Sequence, residues 1–281
     1  MPELPEVETV CRGLNQLTLG RKIEGGEVLL SRTLAHPLSV TEFNDKITGS
    51  SIQLWTRRGK YLLARLQPTG WLGVHLRMTG QLLWLEADKP LSVHTRLRIF
   101  FTDGQELRFI DTRTFGKVWL VQDDPFIVMG GLQNLGPEPF GEDFSPQYFL
   151  QQCGKSRRPI KTLLLDQRVV AGIGNIYADE ALFKGGIRPE TLSCELPPPA
   201  VEKLRLQIQE VLQQAIAAGG TTFSDFLQVT GVNGNYGGIA WVYGRRGQPC
   251  RVCGTTIERV KLGGRSSHFC PQCQRKTSGR I

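Results

Sequence analysis

The sequence predicts an α+β protein of more than one domain. Three observations predict it. Residues 22 to 121 alternate in the manner of strands with no long helix between them. Helical periodicity follows from about 145 to 218, and two Cys-x-x-Cys pairs stand close to the C-terminus. At 281 residues the chain can bury a full core and divide into domains.

The first element is a helix over residues 5–19. Pro5 suits a first helical turn, and Val7, Val10, Cys11, Leu14 and Leu17 follow at helical spacing up to Gly20. In the β region, Ile52-Gln53-Leu54-Trp55 and Tyr61-Leu62-Leu63 flank the turn-like Arg57-Arg58-Gly59. Arg96 to Phe101 and Glu106 to Ile110 flank Thr102-Asp103-Gly104-Gln105, a hairpin signal. The expected arrangement is a two-layered antiparallel sandwich or flattened barrel with the first helix packed on it. Residues 123–147, rich in Gly, Pro and Asp, read as a linker. Helices are expected at 145–153, 160–167, 175–184 and 198–218, then a glycine-rich loop over 219–240.

The net charge of +8 resides in the tail. Between Tyr243 and Ile281 nine Lys and Arg face one acid, Glu258, so the rest of the chain is neutral overall. A basic tail without an amphipathic face points to a polyanion, nucleic acid before membrane. No apolar run reaches 18 residues and no signal peptide is legible, which implies a soluble protein that stays where it is made.

Cys250, Cys253, Cys270 and Cys273 have the spacing of two knuckles that share one tetrahedral Zn²⁺. Four protein ligands leave no open position, so the ion is expected to be structural. Arg265 lies between the knuckles, where a hairpin tip would project it. In Gly172-Ile173-Gly174-Asn175, Asn175 reads as a cap of the following helix, whose N-terminus offers N–H groups to a phosphate, with Arg157, Arg158 and Lys161 upstream as cations. Such glycine–asparagine helix starts are common, so this signal is weak by itself. Taken by spacing alone, Met78 and Phe115 read as core residues and His94 as a loop histidine.

The start, Met1-Pro2-Glu3-Leu4-Pro5-Glu6, offers different chemistry. With Met1 removed, Pro2 presents a secondary amine beside two carboxylates. An α-amino group with a pKa near 8 is partly uncharged at neutral pH and can attack an electrophilic carbon.

Together these stretches resemble bacterial formamidopyrimidine-DNA glycosylases along essentially the whole chain. The resemblance is carried by Pro2-Glu3-Leu4-Pro5-Glu6, Arg58-Gly59-Lys60-Tyr61, His75-Leu76-Arg77-Met78-Thr79-Gly80, Asp111 to Gly116, Gly174-Asn175-Ile176-Tyr177-Ala178 and the four cysteines. It implies a bacterial base-excision repair enzyme that removes oxidised purines and then cleaves the abasic site by β,δ-elimination. The implied fold is an N-terminal β-sandwich, a helix–two-turn–helix domain and a zinc-finger hairpin, with double-stranded DNA in the cleft between. The expected division is 1–122, linker 123–145, 146–240 with a lesion-recognition loop at 219–240, and finger 241–281.

By position, the resemblance makes Pro2 the Schiff-base nucleophile, Glu3 a proton donor and Glu6 a supporting acid. Lys60 and Arg265 match proton donors for β- and δ-elimination. Met78, Arg113 and Phe115 match residues inserted where the damaged nucleotide leaves the stack. His75, His94, Arg157, Lys161 and Asn175 match further DNA contacts. Thr112 and Thr114 depart from the proline and arginine of many relatives. A cytoplasmic, nucleoid-associated monomer with one zinc ion, no small-molecule cofactor and no membrane partner is expected. The rival readings are an endonuclease VIII-like enzyme for oxidised pyrimidines, which lacks the Met/Arg/Phe set, and a non-catalytic binder of damaged DNA.

Overall fold

The computed structural model describes residues 1–221, 229–231 and 236–275. Contacts group the chain into two compact units, Met1–Asn134 with Ala218–Asn235, and Leu135–Ala217 with Tyr236–Ile281.

The first unit opens with helix α1 (Leu4–Thr18). Strands β1 (Ile23–Val28) and β2 (Leu34–His36) follow, then helix α2 (Val40–Ile47). Seven further strands are β3 (Ser51–Arg58), β4 (Tyr61–Gln67), β5 (Gly70–His75), β6 (Gly80–Glu86), β7 (Thr95–Phe101), β8 (Gln105–Asp111) and β9 (Lys117–Val121). They form a four-stranded sheet, β1-β7-β8-β6, and a five-stranded sheet, β2-β9-β5-β4-β3. Leu62, Ala64, Leu72, Val74, Leu97, Ile99 and Phe109, drawn from both sheets, share one buried core. The unit is therefore a β-sandwich, with two departures from expectation. The pair β2–β9 is parallel. Residues 40–47 form a helix because Ser39 caps Glu42 N–H and Phe43 and Ile47 turn into the core.

Helix α1 is fastened to β3. Asn15 donates to the Trp55 carbonyl (2.8 Å) and accepts from Trp55 N–H (2.9 Å), while Trp55 Nε1 donates to Thr18 (2.9 Å). Leu4, Val7, Val10 and Leu14 are fully buried, contributing roughly 1.5–3 kcal/mol each. This stripe fixes the chain end. Helices α3 (Pro125–Val128) and α4 (Gly130–Gln133) occupy the start of the expected linker. They are packed, not solvated: Met129 and Leu132 are buried, and a side chain at Gly73 or Gly131 would strike Met129 or the Tyr61 hydroxyl. Residues 218–221 and 229–231, expected with the helical domain, bond within this unit, where Trp84 N–H donates to the Val229 carbonyl (2.9 Å).

The second unit holds α5 (Pro146–Gly154), α6 (Ile160–Leu164), α7 (Asn175–Gly185) and α8 (Pro198–Ala217). It ends in the hairpin of β10 (Glu258–Leu262) and β11 (Arg265–Phe269). Helix α8 packs on α5 and α7, and its Val201, Leu204, Ile208 and Val211 are buried. Among the described residues no helix is long and apolar enough to cross a membrane.

Candidate active site and DNA-contact surfaces

In the first unit Pro2 is buried, with Glu3 and Glu6 2 % and 1 % exposed. Glu6 Oε2 accepts Glu3 N–H at 2.8 Å, half of a capping box at the start of α1. Lys60, 7 % exposed, follows the β3–β4 turn, where Gly59 takes the left-handed conformation (φ +55°). Arg57 sets that turn against α1: it donates to Glu8 Oε2 (2.9 Å) and to the Gly59 carbonyl (3.1 Å). Nothing in the sequence marks Glu8 and Arg57 as partners, since their ordinary charge pair spans 49 positions.

The chain-end amine at Met1 is pulled below its usual 8.0, chiefly by burial. Glu3 and Glu6 oppose that shift, while Lys60 and Arg113 add to it. The fold thus brings Glu3, Glu6, Lys60 and Arg113 into electrical contact with the chain end. A buried amine with a lowered pKa is more often uncharged, as a nitrogen nucleophile must be.

Two loops carry the expected inserting residues. Met78 lies between β5 and β6, half-buried. Phe115 is 51 % exposed between β8 and β9, and the Arg113 guanidinium sits 5.0 Å from its ring centroid. Neither Met78 nor Phe115 is a core residue, contrary to their spacing. His75 ends β5, nearly buried, with Tyr61 edge-on at 4.5 Å. Burial, with Arg77 and Lys60 adding, pushes its pKa down to about 3. Its Nδ1 accepts Arg77 N–H at 3.0 Å, which puts the proton of the neutral ring on Nε2. His94 is half-buried, its Nδ1 3.2 Å from Arg96 Nη2.

In the second unit, Arg157 and Arg265 are exposed, and Arg265 opens β11 directly after the Gly263-Gly264 turn, at the expected hairpin tip. A groove of about 400 Å³ on this hairpin is lined by Arg246, Arg259, Lys261 and Ser266 with no acid. Asn175 is not the cap of α7. Gly174 holds that position, Asn175 is the first helical residue, and its Oδ1 is buried without a hydrogen-bond partner among the described residues. The preceding turn is held by Gln167, which accepts Gly172 N–H (3.0 Å) and donates to the Ile173 carbonyl (2.7 Å).

Lys161 also departs from expectation. It is 1 % exposed, 2.6 Å from buried Asp179 and 2.6 Å from the Ser266 carbonyl, to which it donates. Asp179 further accepts His268 N–H at 2.9 Å. An ammonium so enclosed ties α6 and α7 to the hairpin. Beside it, Glu180 accepts the N–H groups of Trp241, Val242 and Tyr243 at 2.7–2.9 Å. Half of the expected recognition loop, 222–228 and 232–235 of 219–240, lies outside the described residues.

The four Sγ atoms of Cys250, Cys253, Cys270 and Cys273 lie within 4.8 Å of one another, with separations of 3.9 Å (Cys250–Cys273), 3.4 Å (Cys253–Cys270) and 3.5 Å (Cys253–Cys273). Thiolates at 2.3 Å from a tetrahedral zinc stand about 3.8 Å apart. The donors fit one structural Zn²⁺. The core around them is small: Phe183, Val242, Ile257 and two of the cysteines.

Comparison with known proteins covers the same regions. Residues 1–118 match the formamidopyrimidine-DNA glycosylase N-terminal domain, 135–226 its H2TH domain, and 247–275 the zinc finger found in FPG and IleRS. The formamidopyrimidine-DNA glycosylase of Trichormus variabilis is 64 % identical over 98 % of this chain and 100 % of its own. That of Crocosphaera subtropica is 65 % identical over 98 % of both. Among solved structures, a Lactococcus lactis FPG variant in complex with DNA containing Fapy-dG superposes with a TM-score of 0.92 at 37 % identity, covering 98 % of this chain and 100 % of that one. The buried chain end with its acids, the four-thiolate cage and these full-length matches lead to one conclusion: the chain belongs to the formamidopyrimidine-DNA glycosylase family.

Proposed function

We propose that this chain excises oxidised purines, chiefly 8-oxoguanine and formamidopyrimidines, from double-stranded DNA and cleaves the resulting abasic site, using the amine of Pro2 after loss of Met1. The observation that carries the residue assignment is buried Pro2 next to buried Glu3, in a chain end whose Met1 amine feels the charges of Glu3, Glu6 and Lys60. The Pro2 nitrogen lone pair forms a bond to C1′ as the bond from C1′ to the base breaks, and the base leaves with that electron pair and a proton. Glu3 protonates the ring oxygen, the sugar opens, and an iminium remains. Loss of a C2′ proton then expels the 3′ phosphate, and loss of the C4′ proton expels the 5′ phosphate. Lys60 serves the first elimination and Arg265 the second.

The base must leave the stack at a cost of a few kcal/mol. Met78, Arg113 and Phe115 fill the hole, their exposure supporting that role. Arg157, Asn175, His94, His75 and the basic groove by Arg265 hold phosphates and sugars, the sequence-independent part of the affinity. Zinc supplies folding of the hairpin and no chemistry. We further read the protein as a cytoplasmic monomer without a small-molecule cofactor, checked by sedimentation with and without duplex.

Borohydride trapping tests the assignment, with duplexes carrying 8-oxoguanine opposite cytosine or thymine glycol opposite adenine. The 8-oxoguanine duplex should give the stronger adduct, and Pro2→Gly should abolish it. An undiminished adduct from Pro2→Gly removes Pro2 from the mechanism; an adduct mainly with thymine glycol moves the substrate to oxidised pyrimidines.

A further inference from the structure

The two loops that carry Met78, Arg113 and Phe115 meet on one buried carboxylate. Asp111 is 1 % exposed. Its Oδ1 accepts the Thr79 hydroxyl (2.5 Å) and Arg113 N–H (3.2 Å), and its Oδ2 accepts Gly116 N–H (2.7 Å). The Thr79 hydroxyl oxygen also accepts Arg113 N–H at 3.1 Å, closing a ring from one loop to the other. Asp111 is anchored by its backbone as well: its N–H donates to the His94 carbonyl (3.0 Å) and its carbonyl accepts Arg96 Nε (2.8 Å).

Each loop contains a non-glycine residue in the left-handed region, Arg77 at φ +56° and Thr114 at φ +59°. Such residues persist only where the surroundings over-determine them. Gly116 leaves no slack, since a Cβ there would strike the Phe109 ring and come within 3.1 Å of Asp111 Oδ2. The carboxylate thus holds two strained loops whose outward side chains, Met78, Arg113 and Phe115, are exposed or half-buried.

We infer that Asp111 is the positioning residue of the inserting side chains: it presets both loops, so that ordering them is not left to the moment of DNA binding. The inference rests on the proposed role of those three side chains. It separates two substrates. In duplex DNA the extruded nucleotide leaves a hole beside an opposite base, and the preset loops are needed. In a single-stranded abasic oligonucleotide there is neither hole nor opposite base, and the reaction at Pro2 proceeds without them.

The experiment compares kcat/KM on the 8-oxoguanine:cytosine duplex with borohydride trapping on single-stranded abasic DNA. In Asp111→Asn an amide NH2 replaces one acceptor and faces an N–H donor. The ratio of duplex to single-strand rate should fall tenfold or more, at zinc content and circular dichroism equal to the parent's. Thr79→Val removes the bridging hydroxyl and leaves the carboxylate; its ratio should fall about threefold. If Asp111→Asn does not fold, Thr79→Val decides. Equal losses on both substrates, or no loss on the duplex, overturn the inference. Phe115→Ala and Met78→Ala test the reading beneath it: an unchanged duplex rate in both removes the inserting role, and the inference falls with it. A duplex-specific loss in these two without one in Asp111→Asn or Thr79→Val overturns the inference alone.

Discussion

Thr221 and Glu6 are joined by a 2.8 Å hydrogen bond across 215 positions of the chain, Thr221 N–H donating to Glu6 Oε1. The other oxygen of the same carboxylate receives Glu3 N–H. One side chain therefore ties the first turn of α1 to the start of the glycine-rich 219–240 segment. Gly220 lies tight against it, at φ +81°, and a Cβ there would come 3.0 Å from Glu6 Cγ and Oε1, closer than ordinary contact.

Glu6→Gln keeps the shape and replaces one acceptor with a donor that opposes an N–H. Hydrogen bonds to a charged partner contribute about 1.5–3 kcal/mol. Stability should drop by about that amount, and trapping on the 8-oxoguanine duplex should slow about tenfold or more. Gly220→Ala should act in the same direction, through both its φ and the contact. Urea unfolding and single-turnover trapping measure the two effects. Unchanged values for both variants would show that Glu6 does not couple the two segments.

His75 makes stability depend on pH. Its pKa is about 3 when folded and near 6.5 when free, so between these values the unfolded chain binds a proton that the folded chain does not. The contribution is present above pH 6.5 and is lost as pH falls toward 3, by up to about 1.4 kcal/mol per unit. From pH 7 to 5 the parent should therefore lose about 2 kcal/mol more than His75→Gln, which has no such titration. Urea unfolding at the two pH values gives the difference. Equal losses mean that the ring is protonated in the folded state.

Zinc removal should act on the finger and spare the sandwich. The first unit has a core spanning both sheets, whereas the finger clusters few apolar side chains around its cysteines. Metal binding supplies folding free energy that so small a core does not. Chelation, or Cys253→Ser, should remove the zinc and abolish duplex binding, while the thermal transition of the β-rich unit persists. Metal analysis and fluorescence anisotropy follow the two quantities; full affinity in verified zinc-free protein refutes the structural role.

What was legible in the sequence was local. Helix α1 follows from one apolar stripe and one proline, and the cysteine cage from spacing that few other arrangements need. The β7–β8 hairpin follows from two alternating runs about a turn. The missed features depend on partners far apart in the chain. Nothing near Lys161 says that Asp179 and Ser266 enclose it, and nothing beside Arg57 names Glu8. Met78 and Phe115 read as core because apolar type predicts burial only on average; their exposure follows from turns set by Asp111. Asn175 read as a cap by type, yet the glycine before it takes the extended conformation of that position.

Lys161 and Asp179 give the sharpest test of burial against surface charge. Both are enclosed and 2.6 Å apart. Removing one partner strands the other's charge, which costs about 3–5 kcal/mol, whereas replacing both with apolar residues is often close to neutral. Lys161→Met and Asp179→Leu should each destabilise strongly, and the double variant should lose far less than their sum, a coupling that a double-mutant cycle reads directly. DNA binding distinguishes the roles further. A lysine that neutralises a phosphate adds about 0.9 to the slope of log affinity against log salt. Exposed Arg157→Ala should reduce the slope by about that much, and the double variant at Lys161 should leave it in place, since its ammonium is already neutralised by Asp179. Additive stabilities, or a slope reduced by about 0.9 in the double variant, would return Lys161 to the phosphate-binding surface.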